Sequence, residues 1–136
     1  MAGQGSRFQV SGYEHPKPLI EVSGKPMVIQ AVNALPKADR YVFVCGKEHV
    51  EEYWIDKLLK LNFSNTHIIA IDYLTEGQAS TCLLAESDID PESQLLVAPC
   101  DNGMTWDNSK FYSMINNQNI DAIIWTFRNN VTVERN

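Results

Sequence analysis

The chain has 136 residues, of which 44% are hydrophobic and 21% charged, and its formal net charge is −6. This length allows one domain with a real core, and the composition is ordinary for a globular protein. A general nucleic-acid binder relies on a surplus of lysine and arginine, so the acidic balance argues against that class. An acidic chain can still bind a nucleotide where its few cations converge on the phosphates.

The sequence shows neither a membrane span nor a secretion signal. No apolar run approaches the roughly 20 residues that a span needs, and no n-region precedes an apolar h-region. The cysteines, Cys45, Cys82 and Cys100, are odd in number and follow no CxxC or Cys/His spacing. We therefore expect reduced, small core residues in a cytoplasmic protein, with no metal or disulfide role.

Helical and strand patterns alternate along the chain. Apolar residues at helical spacing predict helices, and short continuous apolar runs ended by glycine or polar residues predict buried strands. In chain order the predicted elements are a helix starting at Pro26 with Val28, Val32 and Leu35 on one face, a strand at 41–45, a helix with the apolar stripe Val50, Trp54, Leu58 and Leu61, a strand at 67–71, a helix at about 79–86, a strand at 95–98, a helix at about 110–118 and a strand at 122–127.

This alternation predicts an α/β fold with a mostly parallel sheet covered on both faces. Ligands of such sheets bind beyond the carboxyl ends of the strands, where the segments 72–78 and 99–103 lie. The glycine-rich stretch begins at residue 2 without a strand in front of it. We therefore expect residues 1–136 to form part of a single domain that is incomplete at both ends.

The glycine-rich stretch is a candidate phosphate-binding loop. Gly3 and Gly5 let backbone amides approach anionic oxygens, and Arg7 adds a planar, permanently charged fork. A surface turn with a solvated arginine explains the same residues equally well. The dinucleotide fingerprint is excluded because Phe8 stands where its third glycine would be, and no Gly-Lys pair is followed by the Ser or Thr of a P-loop.

Lys17 is a second candidate phosphate ligand. Pro16 and Pro18 restrict the backbone on both sides, which predicts a stiff, extended segment. A lysine held in this way can be aimed at a fixed phosphate at lower entropic cost. The alternative is an exposed lysine in a proline-bounded loop.

Together the two motifs resemble the signature of sugar-1-phosphate nucleotidylyltransferases, members of the NTP-transferase family. The resemblance rests on the string from Met1 to Phe8 and on the string from Pro16 to Met27. It implies a Rossmann-like three-layer sandwich of the nucleotide-diphospho-sugar transferase type, with a mostly parallel, mixed sheet. It also implies transfer of a nucleoside monophosphate from a nucleoside triphosphate to a sugar 1-phosphate, with Mg²⁺ as cofactor and pyrophosphate as product. Neither a nucleic acid nor a membrane is expected as partner, and a homo-oligomer stays open.

The resemblance implies a role for each matching residue. Arg7 would neutralise the β- and γ-phosphates, Lys17 would contact the phosphates at the reacting centre, and Asp101 would bind Mg²⁺. The residues expected to bind the nucleotide are Ala2, Gly3, Gly5, Ser6, Arg7, Lys17, Asp72, Gly77 and Gln78.

The candidates after the predicted strands also have plainer interpretations. Gly77 would pack its backbone against the nucleobase, or serve only as a turn before a helix. Asp72 would accept hydrogen bonds from a donor-rich base edge such as that of guanine. Asp101 follows a predicted strand, but Asp, Asn and Gly are also the residues that turns prefer. The second metal carboxylate usual in the family has no counterpart in this chain.

Three other functions stay open from the sequence. The first is a nucleotidyltransferase that uses a non-sugar phosphate acceptor such as phosphocholine. The second is a regulatory domain that binds nucleotide without catalysis, against which the presence of both Lys17 and Asp101 argues. The third is a glycosyltransferase of related architecture, whose metal motif needs a second acid that Asp101-Asn102-Gly103 lacks.

Overall fold

A computed structural model describes residues 12–13 and 15–126. The chain divides into two compact units, residues 1–104 and 105–136. Within the described residues, no helix is long and apolar enough to cross a bilayer. The helices and strands of the described part are β1 (Glu21–Val22), β2 (Lys25–Pro26), α1 (Met27–Asn33), β3 (Tyr41–Gly46), α2 (Lys47–Glu51), α3 (Ile55–Asn62), β4 (Thr66–Ile71), α4 (Gln78–Leu83) and α5 (Asn108–Ile115), with 3₁₀ turns at Lys17–Leu19 and Glu86–Asp88.

The first unit is built around a pair of parallel strands. β3 and β4 are hydrogen-bonded in register from Tyr41 opposite Thr66 to Gly46 opposite Ile71, and α2 and α3 connect them along the chain. Parallel strands need such a crossover, because the chain must return to the same edge before the second strand begins. The predicted α/β class with a parallel sheet is therefore confirmed. Gly46 and Ile71 end side by side and define the carboxyl edge of the sheet.

The core of this unit lies where α1 and α3 meet β3. Ile55 and Leu59 of α3 are fully buried, and Phe63 follows them at the next helical spacing. The Phe63 ring lies 5.1 Å from that of Tyr41 and 5.9 Å from that of Phe43, measured between centroids. Apolar burial of this kind is the main favourable contribution to folding. The buried members of the cluster are Val28, Ile29, Cys45, Ile55, Leu59 and Phe63.

The predicted apolar stripe before β4 is half wrong. Trp54 has a left-handed backbone, with φ 51°, and separates α2 from α3. The second helix, α3, therefore starts anew after Trp54. It buries Ile55 and Leu59, which the predicted stripe did not include. Trp54 is 61% exposed and Leu61 84% exposed, whereas Val50 and Leu58 do pack against the core. A regular 3.6-residue period cannot show this break, because the stripe assumes one continuous helix.

The predicted strands at 95–98 and 122–127 are also wrong for their described residues. Neither 95–98 nor 122–126 forms a regular strand, and Phe127 lies outside the described residues. Leu95 is 60% exposed and Val97 50% exposed. An apolar run favours a strand only when a neighbouring strand supplies hydrogen bonds and packing. Among the described residues, the only ladders are β1 with β2 and β3 with β4.

The described part of the second unit, residues 105–126, contains α5 and the aromatic residues around it. The Asp107 carboxylate caps this helix by accepting from the backbone N–H of Lys110 at 2.9 Å. Phe111 is buried, and its ring lies 5.1 Å from Trp106 and 5.3 Å from Trp125. The helix begins and ends two to three residues before the predicted bounds, while its type is as predicted.

Candidate active site

Lys17 lies in a short turn that is anchored in the protein. Pro16 has extended backbone, and its carbonyl accepts from the N–H of Leu19 at 2.8 Å, which closes the 3₁₀ turn. Pro18 and Ile20 are buried, while the Lys17 side chain stays 29% exposed. The expected extended conformation of Lys17 is therefore wrong. Pro18 has no N–H to leave unpaired, so the turn forms without losing a backbone hydrogen bond.

A tight hairpin connects this turn to the core. β1 and β2 are joined by Ser23 and Gly24, which both have positive φ, 51° and 79°. Two successive left-handed residues are typical of a type I′ turn, and the second is easiest for glycine. The N–H of Met27 then donates to the carbonyl of Ile20 at 2.8 Å. The Lys17 turn is thus tied to the start of α1.

Asp101 lies in a turn next to a residue that packs on the core. Cys100 contacts the core cluster, which contains Cys45 near the carboxyl end of β3. Burial raises the pKa of the Cys100 thiol, and the charge of Asp101 raises it further, whereas that of Lys17 lowers it. The Asp101 side chain is 28% exposed. Cys100 is close enough to Cys45 to raise its pKa further, so Asp101 lies near the carboxyl end of β3, where the sequence predicted a ligand site.

Lys17 and Asp101 form an ion pair although 84 positions separate them in the chain. The Lys17 ammonium Nζ donates to Oδ2 of the carboxylate. More than a quarter of each side chain is exposed, so solvent and small ligands can reach both. A cation and an anion at this edge could bind a phosphate and a divalent metal respectively. The direct contact between them is the feature that sequence reasoning missed, since no spacing signal links residues so far apart.

The end of β4 carries the other described candidates. Asp72 is the first residue after the strand, and its side chain is exposed, as is that of Gln78 at the start of α4. Gly77 precedes α4 with φ 167°, ordinary extended backbone, and an added Cβ would meet no described atom within 4 Å. Neither backbone conformation nor packing of the described residues therefore requires glycine at this position.

The turn around Gly77 is held by threonines that the sequence analysis did not identify. The Thr81 backbone N–H and hydroxyl donate to the Gly77 carbonyl at 3.0 and 2.9 Å. The hydroxyl of Thr75 lies 2.5 Å from that of Thr81. Threonines that flank a helix start often bond to nearby backbone in this way, and that signal was available in the sequence.

The remaining predicted ligands belong to the glycine-rich loop. This loop precedes residue 12, and its predicted roles stay predictions. The candidates that lie outside the described residues are Ala2, Gly3, Gly5, Ser6 and Arg7.

Asp101 could hold Mg²⁺ only if a substrate supplied further ligands to the ion. No group of three His, Cys, Asp or Glu side chains able to hold a metal is present in residues 12–13 and 15–126. Mg²⁺ commonly takes one or two carboxylates and completes its shell with phosphate oxygens and water. Asp101, beside a candidate phosphate ligand, matches that arrangement.

The three cysteines are free thiols. Cys45 is fully buried, and burial raises its pKa to about 12. Cys82 and Cys100 are partly buried. The expectation of reduced core cysteines is thus met in full by Cys45 and only in part by the others.

Comparison with known proteins identifies the family. Residues 1–126 match the family model of the MobA-like NTP transferase domain. The crystal structure of a nucleoside-diphosphate-sugar pyrophosphorylase from Vibrio cholerae RC9 matches with a TM-score of 0.53 at 28% sequence identity, and the match covers 66% of this chain and 41% of that one. No curated protein is significantly similar in sequence. The resemblance seen in the two sequence motifs is thereby confirmed, and the chain belongs to the family of MobA-like NTP transferase domains.

Proposed function

We propose that this domain transfers a nucleoside monophosphate from a nucleoside triphosphate to a sugar 1-phosphate and releases pyrophosphate. The observation that carries the proposal is the contact between Lys17 and Asp101 at the carboxyl edge of a parallel sheet. Family membership supports the nucleotidyl transfer. The name of the solved neighbour, a nucleoside-diphosphate-sugar pyrophosphorylase, supports a sugar phosphate as the acceptor.

The proposed reaction needs charge control more than proton transfer. An oxygen of the sugar phosphate attacks the α-phosphorus, and the bond from that phosphorus to the bridging oxygen of pyrophosphate breaks. The electron pair leaves with pyrophosphate. Because the attacking oxygen is already an anion, no general base is required. Catalysis then consists of aligning two anionic substrates and offsetting their repulsion.

Lys17 and Asp101 supply that control in complementary ways. The Lys17 ammonium would bind phosphate oxygens at the reacting centre, and its buried neighbour Pro18 fixes the backbone from which it projects. Asp101 would hold Mg²⁺, which supplies positive charge to the phosphates when bound. Lys17 lies next to the buried Pro18 and Asp101 next to the partly buried Cys100, so their backbones need not become ordered when substrate binds.

The end of β4 would bind the nucleobase. The base would pack on the backbone at Gly77, where an added Cβ would meet no described atom within 4 Å. The exposed Asp72 carboxylate would accept from the N1–H and N2–H₂ donors of guanine, and Gln78, which follows Gly77 in the chain, would also contact the nucleotide. Equal affinity of the protein for all four nucleoside triphosphates would contradict this role of Asp72.

The test is a pyrophosphate-release assay on the intact protein, with each nucleoside triphosphate against a panel of sugar 1-phosphates and phosphocholine. Lys17→Ala and Asp101→Ala should each lower turnover on the order of a hundredfold or more. Lys37→Ala is the matched control, since this lysine lies in the loop before β3, at the opposite edge of the sheet.

The outcomes separate the parts of the proposal. Near-normal turnover in both variants would contradict the roles of Lys17 and Asp101. Activity with phosphocholine alone would contradict the sugar acceptor and leave nucleotidyl transfer intact. Nucleotide binding without release of pyrophosphate from the triphosphate, whichever acceptor is present, would contradict the catalytic function.

A further inference from the structure

We propose that Thr75 and Thr81 are positioning residues for the nucleobase, because their hydroxyls fix the Gly77 carbonyl and with it the peptide on which the base packs. The inference rests on the proposed function, which places the base on the Gly77 backbone. It assigns a role in nucleotide affinity to two side chains that act through this backbone.

The Gly77 carbonyl oxygen is the centre of a small hydrogen-bond network. It accepts from the Thr81 backbone N–H at 3.0 Å and from the Thr81 hydroxyl at 2.9 Å. The Thr75 hydroxyl lies 3.3 Å from the same oxygen and 2.5 Å from the Thr81 hydroxyl. Linked hydrogen bonds polarise and strengthen one another, so the two threonines act on this carbonyl as a unit.

The backbone at Gly77 needs such support to be ordered before a ligand arrives. Glycine has more conformational freedom to lose than any other residue. The helix that follows it, α4, has only six residues, too few to be stable through its backbone hydrogen bonds alone. The threonine hydroxyls add side-chain bonds at this point, and ordering the backbone in advance lowers the cost of binding.

Holding the carbonyl orients the whole peptide. A peptide unit is planar and rigid, so a fixed oxygen fixes the plane from the Cα of Gly77 to that of Gln78. Thr75 and Thr81 are partly buried, whereas Gly77 and Gln78 are exposed. The network therefore holds the peptide from the protein side and leaves the Gly77 backbone accessible to a base.

The other end of the segment that contains α4 is attached independently. The Asp88 carboxylate accepts from Nη2 of Arg40 at 2.8 Å, and the same oxygen lies 2.6 Å from Nδ1 of His67. Arg40 directly precedes β3 and His67 lies near the start of β4, so these contacts attach the turn after α4 to the amino-terminal ends of both strands. Losing a hydroxyl beside Gly77 should therefore loosen the start of α4 while its far end stays attached.

The experiment removes each hydroxyl from the intact protein and measures calorimetrically the nucleoside triphosphate, of the common four, that the unaltered protein binds most tightly. Thr81→Val should raise its dissociation constant about two- to tenfold, the range expected for one hydrogen bond. Thr75→Val should weaken binding in the same direction. The effect of the double variant should be smaller than the product of the two single effects, since both hydroxyls act on one carbonyl. Thr81→Ser keeps the hydroxyl and should retain the affinity.

A kinetic readout separates positioning from a general loss of structure. In the pyrophosphate-release assay, Thr81→Val should raise the KM for the triphosphate and leave kcat unchanged, because the residues proposed for the reacting centre are unaltered. Thr66→Val is the matched control, since the Thr66 hydroxyl donates to the Phe63 carbonyl at 2.7 Å at the start of β4. The control removes the same kind of bond and should lower the urea midpoint similarly, with KM unchanged.

Three results would overturn the inference. The first is an affinity of Thr81→Val equal to that of the unaltered protein. The second is a weakening that persists in Thr81→Ser or appears equally in Thr66→Val. The third is a fall in kcat at constant KM, which would indicate loss of active protein.

Gly77→Ala tells failure of the inference from failure of the proposed function. If the unaltered protein binds no nucleoside triphosphate, the proposed function is wrong, and the inference with it. If Gly77→Ala and Thr81→Val both leave the affinity unchanged, the proposed base site is wrong. If Gly77→Ala weakens binding and Thr81→Val does not, the base site survives and the role of the threonines alone is wrong.

Discussion

Replacing Gly77 with alanine separates what the fold requires from what a ligand requires. Gly77 has φ 167° and ψ −174°, extended backbone that any residue adopts. An added Cβ has no described atom within 4 Å, and the hydrogen bonds from Thr81 use only the carbonyl of residue 77. The substitution behaves as a surface change without strain. We expect the free energy of unfolding to change by less than about 0.5 kcal/mol.

Nucleotide binding should respond to the same change. If the base packs on the Gly77 backbone as proposed, the new methyl group lies inside the contact. Inserting a methyl group into a filled contact costs about 1–3 kcal/mol. Because 1.4 kcal/mol corresponds to a factor of ten, the dissociation constant for the nucleoside triphosphate should rise by about five- to 150-fold.

Calorimetric titration and urea denaturation of the same samples give the two quantities. Gly24→Ala is the matched control, since Gly24 has φ 79° in the hairpin turn. Alanine there adopts a left-handed backbone at a cost of about 1–2 kcal/mol, with no effect on the nucleotide affinity of the folded protein. Unchanged affinity in Gly77→Ala would refute the contact with the base. A stability loss as large as that of Gly24→Ala would instead show that the fold needs this glycine.

Two further predictions concern the core. Leu59→Ala should lower the free energy of unfolding by about 2–5 kcal/mol. Leu61→Ala, at a side chain that is 84% exposed, should change it by less than about 0.5 kcal/mol. Equal losses in the two variants, measured by urea denaturation, would contradict the direction in which α3 faces the core. The Cys45 pKa is raised by burial from an ordinary 9.0 to about 12, so above pH 9 the unfolded chain loses a proton that the folded protein keeps. Stability should then fall by up to about 1.4 kcal/mol per pH unit between pH 9 and pH 12, with no contribution from this thiol below pH 9. The alkaline loss should be smaller in Cys45→Ala, and an identical pH dependence in that variant would refute the assignment.

The strands that pair with each other were the easiest elements to predict. The apolar runs at 41–45 and 67–71 differ from β3 and β4 by a single residue at one end. Each run is continuous and bounded by polar residues or glycine, and each has a parallel neighbour. The run at 95–98 has the same local pattern, yet it forms no strand, because strand formation depends on a partner that local sequence cannot specify. The left-handed Trp54 was equally hidden, since Trp carries no preference for that conformation.

The candidate site was predictable from the sequence only through the resemblance. Lys17 was assigned to the phosphates and Asp101 to Mg²⁺ by analogy with a family, and each had an ordinary loop or turn as its alternative. Their contact depends on Pro18 and Cys100 packing in the first unit, which is a tertiary property with no periodic signature. The role of Gly77 stays a prediction, although the structure removes the conformational reason for a glycine at that position.

The contribution of the Lys17–Asp101 ion pair to stability is small compared with that of the core. An ion pair as exposed as Lys17–Asp101 contributes about 0–1 kcal/mol to stability, whereas each fully buried core side chain, such as Ile55 or Leu59, contributes about 1.5–3 kcal/mol. The fold therefore does not depend on the pair, and ligands can separate the two charges without loosening the protein. The neighbours, in contrast, pack inside the first unit: Pro18 is buried, and Cys100 is partly buried against the core cluster. The phosphate proposed for Lys17 and the metal proposed for Asp101 could therefore bind without the fold having to change.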